Sequence, residues 1–66
     1  MNKNLIITRK EKGMYQREVA GILGISKQSY CHKETGKTDF TQTEMLRLAR
    51  IFNCTLDELF GGGIVA

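Results

Sequence analysis

The chain has 66 residues, of which 41% are hydrophobic, and a formal net charge of +3. A chain of this length forms one domain with a small core, and its hydrophobic fraction is close to that of ordinary globular proteins, which argues against disorder. No apolar run approaches the length of a membrane span and the first residues do not form a signal peptide, so we expect a cytoplasmic protein.

The positive charge is concentrated in the first half of the chain. Residues 1–37 contain eight Lys or Arg and three Glu, whereas residues 38–66 contain two Arg and four Asp or Glu. A basic surface attracts a polyanion at long range. Charge alone does not separate this interpretation from an ordinary solvated surface, and both stay open at this point.

The first predicted helix runs from about Lys3 to Lys12. Asn2 or Asn4 is expected to cap its start, and Gly13 is expected to end it. The basic run at residues 9–12 is, on its own, typical of a solvated helix face.

Two short helices that meet at a tight corner are predicted next, at residues 16–23 and 27–35. The first carries a narrow apolar stripe, and Gly24 follows it, where a helix end needs the positive φ that glycine adopts at least cost. Ser26 is expected to cap the second helix by accepting a hydrogen bond from a backbone amide. Helices joined by three residues must nearly touch, and the small side chain of Ala20 suits that contact.

Two further helices are predicted from capping boxes, in which a Thr is followed three residues later by a Glu. The box at residues 41–44 opens a helix that runs to about Phe52, and the box at 55–58 opens a short helix that ends at Phe60. Spacing at i, i+3, i+4 and i+7 gives the longer of the two a core face made of Met45, Leu48, Ala49 and Phe52.

The cysteines and the single histidine do not indicate a metal centre or a catalytic pair. Cys31 and Cys54 are too few for a disulfide framework, and we expect two free thiols. With His32 they offer only three soft ligands, two of them adjacent, which is a poor zinc site. Neighbours on a helix diverge by about 100°, so Cys31 and His32 do not form a nucleophile–base pair. We therefore expect no enzyme activity, cofactor or small-molecule ligand.

The corner resembles that of the helix-turn-helix regulators of the phage Cro and repressor type, often called the XRE family. The resemblance rests on Gln16, Ala20, Gly24, Ile25, Ser26 and the run Glu34-Thr35-Gly36-Lys37. It extends from about Leu5 to Phe60, and the runs at 9–13 and 55–60 are also similar to family signatures. The chain departs from the family pattern with Tyr15 in place of a capping Thr, Tyr30 in place of an aliphatic residue and Lys33 in place of a large apolar residue.

The resemblance implies an all-α fold, a five-helix bundle of the lambda-repressor-like DNA-binding type in which helices 2 and 3 form the helix-turn-helix. Residues 1–61 would form the DNA-binding domain, and residues 62–66 a short flexible tail. Tyr30 should anchor the third helix in the core with its hydroxyl at the rim, and Glu34 should pair with a basic group such as Arg9. Lys33 should keep its ammonium in water.

The outer side of the third helix matches the positions with which the family reads bases, namely Lys27, Gln28 and His32. Gln can bond adenine through two atoms, Lys can donate to guanine, and His can donate to guanine or to phosphate. The resemblance places contacts with the DNA backbone at Gln16, Arg17, Ser26, Ser29, Lys33 and Lys37. For each of these residues taken alone, a solvated polar side chain is the simpler interpretation.

The function implied is sequence-specific binding of double-stranded DNA in the major groove by a small transcriptional regulator, more specifically a repressor. A homodimer on a palindromic operator is expected, because paired half-sites about 34 Å apart multiply the affinity of a small module. The alternative is a protein-interaction module of the same fold, such as an antitoxin or an antagonist of another regulator. Its signature would be an exposed apolar patch outside the corner, with Ile22 and the tail residues 64–65 as candidates.

Overall fold

The chain folds into five α-helices and their connecting loops, as a computed structural model that describes residues 2–60 shows. In chain order the helices are α1 (Lys3–Glu11), α2 (Gln16–Leu23), α3 (Lys27–Thr35), α4 (Gln42–Phe52) and α5 (Leu56–Phe60). The all-α prediction is confirmed, and the bounds of α2 and α3 are those predicted. None of the helices between residues 2 and 60 has the length and apolar character needed to cross a lipid bilayer. The predicted tail, residues 62–66, lies outside the described residues.

The corner between α2 and α3 is made by Gly24, which adopts the left-handed conformation at φ 75°. This conformation lets the next amide, that of Ile25, donate back to the Ala20 carbonyl at 3.0 Å, so the chain turns sharply at the helix end. Ala20 is buried at the contact between the two helices. The sequence therefore predicted both the position and the cause of the corner.

Side-chain caps fix the starts of three helices. The Ser26 hydroxyl accepts the Ser29 amide at 3.1 Å and opens α3. Two full capping boxes, in which Thr41 pairs with Glu44 and Thr55 with Glu58, open α4 and α5 as predicted. These caps satisfy amides that have no partner within their own helix.

The core gathers side chains from all five helices around the corner. α1 and α4 both pack against α5, and α2 packs against α3. The buried apolar residues are Leu5, Val19, Ala20, Leu23, Tyr30, Leu48, Phe52 and Leu59. The ring of Phe40 joins the two ends of this core, because its centroid lies 5.9 Å from that of Tyr30 and 5.8 Å from that of Phe60. This ring thus connects α3 to α5.

Three local predictions are wrong, and each involves a polar group at the core boundary. The Tyr30 hydroxyl does not reach the rim, because the whole side chain is buried. The Lys33 ammonium is not in water, since Nζ binds Glu44 Oε1 at 2.6 Å. Asn2 precedes α1 but its side chain does not cap that helix. Its amide group donates instead to the Lys33 carbonyl at 3.0 Å, which connects the start of the chain to the last turn of α3.

Candidate nucleic-acid interface

The first turn of α3 presents polar side chains to solvent. Lys27, Gln28 and Ser29 are all exposed, whereas Tyr30 and Glu34 on the same helix are buried. Residues four apart lie on one face of a helix, so Tyr30 and Glu34 define the inner face and fix the direction in which the first turn points. The base-reading residues predicted for this turn are therefore placed on the outside of the molecule.

His32 lies one turn after Gln28 and is half-buried beside Cys31, which is also half-buried. Both cysteines are free thiols in the structure. The spacing of four residues places His32 on the side of α3 that carries Gln28. Of the three predicted base-reading residues, His32 is thus the least exposed.

A buried ion pair between α1 and α3 sets the position of α3. Arg9 donates from Nε to Glu34 Oε2 at 2.9 Å and from Nη2 to Oε1 at 3.2 Å, while its third contact is to the Met14 carbonyl at 2.9 Å. The Tyr30 hydroxyl donates to Glu34 Oε2 at 2.7 Å. The Gln16 amide adds a further bond to Oε1 at 2.9 Å. One carboxylate thereby connects α1, α2 and α3. The predicted pairing of Arg9 with Glu34 is confirmed.

Arg9 and Glu34 both stay charged in this network. Burial alone would raise the pKa of Glu34, but the hydrogen bonds donated by its three partners outweigh burial and hold that pKa below its ordinary value. The hydrogen bond to Glu34 in turn raises the pKa of Arg9. Burial, together with the adjacent carboxylate, raises the pKa of Tyr30 well above its usual range, so its hydroxyl stays a donor. The pair is an ionic contact at all pH values near neutrality.

The Gln16 side chain bonds Glu34 and keeps one donor for a partner. Its carboxamide must turn nitrogen toward the Glu34 carboxylate, because that group only accepts hydrogen bonds. The nitrogen carries two hydrogens, so one remains for a second acceptor. The side chain is half-buried at the first position of α2. The backbone amides of Gln16 and Arg17 at this helix start make no hydrogen bond with any described residue.

A shallow cavity of about 330 Å³ opens between the start of α2 and the start of α3. It is lined by Arg9, Tyr15, Gln16, Arg17 and Lys27. Arg17 and Lys27 are exposed, and neither forms an ion pair with a residue in the range 2–60. The structure thus brings together three of the predicted site residues, from two helices, in one cationic cavity.

Backbone hydrogen bonds close the end of α3. The backbone amides of Lys37 and Thr38 donate to the His32 carbonyl at 2.8 and 3.3 Å, so these amides end the helix and are not left for a phosphate. The Lys37 side chain remains exposed. Lys33 is withdrawn from solvent by Glu44, and its ammonium lies 6.0 Å from the centre of the Phe40 ring. Of these two lysines, Lys37 alone offers an unpaired ammonium to a partner.

Tyr15 belongs to this surface although the sequence analysis did not predict it as a site residue. Its side chain is 62% exposed, and the Arg17 guanidinium carbon lies 4.7 Å from the centre of its ring. The position preceding α2 has no helical spacing to Arg17, so no periodic pattern predicts their contact. The available signal was the departure from a capping Thr at that position.

The architecture defines a helix-turn-helix domain, with two short helices at a glycine corner and an exposed polar face on the second. The sequence model of the helix-turn-helix family HTH_3 matches residues 5–59. The chain belongs to this family, which is that of the Cro and repressor-type DNA-binding regulators. No curated protein and no solved structure matches the chain.

Proposed function

We propose that the protein is a sequence-specific transcriptional regulator that binds double-stranded DNA by inserting α3 into the major groove. The observation that carries this proposal is the exposed first turn of α3, residues 27–29, on a helix whose opposite face is held by the buried Arg9–Glu34 pair. A major groove is about 12 Å wide and admits one α-helix. A rigidly held helix with donors and acceptors on its outer side is therefore suited to read base edges.

Base reading is assigned to Lys27, Gln28 and His32. The Gln28 carboxamide can donate and accept at once, which matches the N6 and N7 atoms of adenine, and the Lys27 ammonium can donate to guanine O6 or N7. His32 supplies a ring N–H from the next turn. Contacts with phosphates position a protein on the duplex without carrying sequence information. Those contacts are assigned to Gln16, Arg17, Ser26, Ser29 and Lys37.

Ser26 can donate to a phosphate although its oxygen already accepts a hydrogen bond from the Ser29 amide. A hydroxyl keeps its own hydrogen when it accepts, so Ser26 still has a donor for a phosphate oxygen. Lys33, by contrast, is left out of the proposed contacts, because Glu44 holds its ammonium in a half-buried site.

The two lysines at the end of α3 give a matched test of this distinction. Lys37→Ala should weaken binding to every DNA sequence and reduce the slope of log affinity against log salt by about one unit, since one phosphate contact is lost. Lys33→Met removes the same charge and keeps the apolar stem, and it should leave the slope unchanged. Salt titrations of both variants provide the measurement. An equal reduction in slope for both would show that Lys33 leaves Glu44 to contact DNA.

We further propose that the protein acts in the cytoplasm as a repressor, by occupying an operator and blocking polymerase. The operator would be palindromic and bound by a homodimer, because two half-sites about 34 Å apart each receive one α3. The acidic C-terminal half supports an arrangement in which it lies near the two-fold axis, since exposed Asp57 and Glu58 are repelled by phosphates. Binding of DNA in this way involves no catalysis.

Selection of bound duplexes from a random pool tests binding, specificity and symmetry together. We expect enrichment of an inverted repeat whose half-sites lie one helical turn apart. Enrichment of a single unrepeated element would contradict the homodimer while leaving sequence-specific binding intact. A pool that stays random would contradict DNA recognition itself.

A second candidate function, protein binding, is favoured by one observation. Ile22, one of the candidates for the apolar patch of that alternative, is 50% exposed on α2, outside the polar face of α3. A partner protein that packed there would cover its side chain. A random pool without enrichment would favour this function, that of an antitoxin or an antagonist of another regulator.

A further inference from the structure

Tyr15 and Arg17 form a cation–π pair in the lining of the cavity between α2 and α3. The guanidinium carbon lies 4.7 Å from the ring centre, within the range of a cation–π contact. Tyr15 does not act as a side-chain cap for α2. Its backbone amide donates to the Glu18 carboxylate at 2.8 Å, and Glu18 is not among the residues that line the cavity. The ring is thus held at the helix start without a role in capping it.

The contact with the ring orients the Arg17 guanidinium without neutralising it. A carboxylate would cancel the charge of the guanidinium, whereas a ring carries no net charge and leaves the guanidinium positive. The N–H donors of a guanidinium match two oxygens of a phosphate. Because the side chain is already oriented, less rotamer freedom is lost when a phosphate binds.

The rest of the cavity suits the same ligand. Lys27, which is assigned above to a base edge, adds positive charge on the α3 side, and Gln16 has one hydrogen on its amide nitrogen beyond the one given to Glu34. Arg9 also lines the cavity, but its charge is already matched by Glu34. Among the described residues that line the cavity, none carries a carboxylate. The cavity therefore combines a net positive charge with donors from two helices.

We propose that Tyr15 is a positioning residue that holds Arg17 ready for the backbone phosphate assigned to it above, and that this phosphate lies at the cavity. Lys27 belongs to the first turn of α3, so the phosphate lies next to the bases that this turn reads. The proposal rests on the proposed DNA-binding function and adds to it a role for an aromatic residue that the sequence analysis named only as a departure from the family pattern.

A double-mutant cycle on DNA binding tests the proposal. Tyr15→Leu removes the ring, and Arg17→Met removes the charge and keeps the stem. Tyr15→Phe is the matched control, since it retains the ring and loses only the hydroxyl. Affinities for selected and scrambled duplexes are measured at several salt concentrations, and far-UV circular dichroism melts establish that each variant is folded.

We expect Tyr15→Leu to weaken binding about two- to five-fold, the size of an exposed cation–π contact, on both duplexes alike. The same change in the Arg17→Met background should have no further effect, and Tyr15→Phe should bind as the wild type does. Arg17→Met should reduce the salt slope by about one unit.

Several results would overturn the proposal. Tyr15→Leu without effect, or with the same effect in both backgrounds, would show that the ring does not act through Arg17. A loss with Tyr15→Phe as large as that with Tyr15→Leu would assign the effect to the hydroxyl. In each of these cases the wild type still binds its selected duplex, so the proposed function survives. A wild type without preference for any duplex would instead overturn the proposed function and this role with it.

Discussion

Replacing Glu34 with Ala is expected to lower the free energy of unfolding by about 3–5 kcal/mol, because Arg9 is then left buried without its counter-charge. Arg9 is 8% exposed and Glu34 only 1%. The Tyr30 hydroxyl and the Gln16 amide lose an acceptor in the same substitution. A domain of this size has a total stability of about 3–10 kcal/mol, so a large part of the variant population should be unfolded.

Urea unfolding followed by circular dichroism measures this loss. Glu11→Ala is the matched control, because Glu11 is an exposed glutamate near the end of α1. Exposed substitutions of this kind change stability by about 0.5 kcal/mol or less. Equal unfolding midpoints for the two variants would contradict the desolvated ion pair that connects α1 to α3.

The contribution of Glu34 also has a defined dependence on pH. Its pKa is lower in the folded protein than the ordinary value of 4.5, so the unfolded chain takes up the proton first as pH falls. A group of this kind stabilises the fold above its unfolded pKa, and the stabilisation is lost as pH falls through the folded pKa. The difference in stability between the wild type and Glu34→Ala should therefore be largest near neutral pH and shrink below pH 4.5.

Local chemistry made most of the fold predictable. Positive φ at Gly24, the hydroxyl cap of Ser26 and the two Thr–Glu boxes each act within a few residues, so the sequence alone determines them. The core face of α4 followed from helical spacing in the same way. The predicted pairing of Glu34 with Arg9 reached further, and it depended on the resemblance to a known family as well as on charge.

Two of the three errors arose where a side chain meets a residue distant in the sequence, whereas the Tyr30 hydroxyl donates to Glu34 on the same helix. The partner of Lys33 is Glu44, for which the sequence analysis predicted only a capping role. The Glu44 carboxylate accepts from the Thr41 backbone amide and from the Lys33 ammonium at once. A Lys at an apolar position requires an acidic partner when it is buried, and this requirement was the available signal. The partner of Asn2 is the end of α3, a contact between residues 31 positions apart that no local pattern specifies.

The residues of the candidate site were predictable from the sequence. Which of them the fold brings together was less predictable. Exposure of Lys27, Gln28 and Ser29 followed from the inward direction of Tyr30. The cavity that gathers Gln16, Arg17 and Lys27 depends on the angle between α2 and α3, which only the folded arrangement gives. The contact between Arg17 and the Tyr15 ring involves a residue in extended backbone before α2 and was not predicted.

Gln28→Ala is expected to have the largest effect on sequence preference. A bidentate contact between Gln and adenine is worth about 1–3 kcal/mol of discrimination. Its loss should lower the affinity for the selected duplex by about 5- to 150-fold. Binding to scrambled DNA should change little, because that binding depends on phosphate contacts. Gln28 is exposed, so its replacement should leave stability nearly unchanged. Gln42→Ala is the matched control, an exposed glutamine in the first turn of α4.

The most direct test of DNA reading by α3 is a pair of binding isotherms, with selected and scrambled duplex, for the wild type and for Gln28→Ala. The result expected is a fall in the ratio of selected to scrambled affinity, with preference relaxed at one base pair in each half-site, while Gln42→Ala keeps the wild-type ratio. A ratio that is unchanged in Gln28→Ala would contradict the assignment of base reading to the first turn of α3 and would move protein binding ahead as the function.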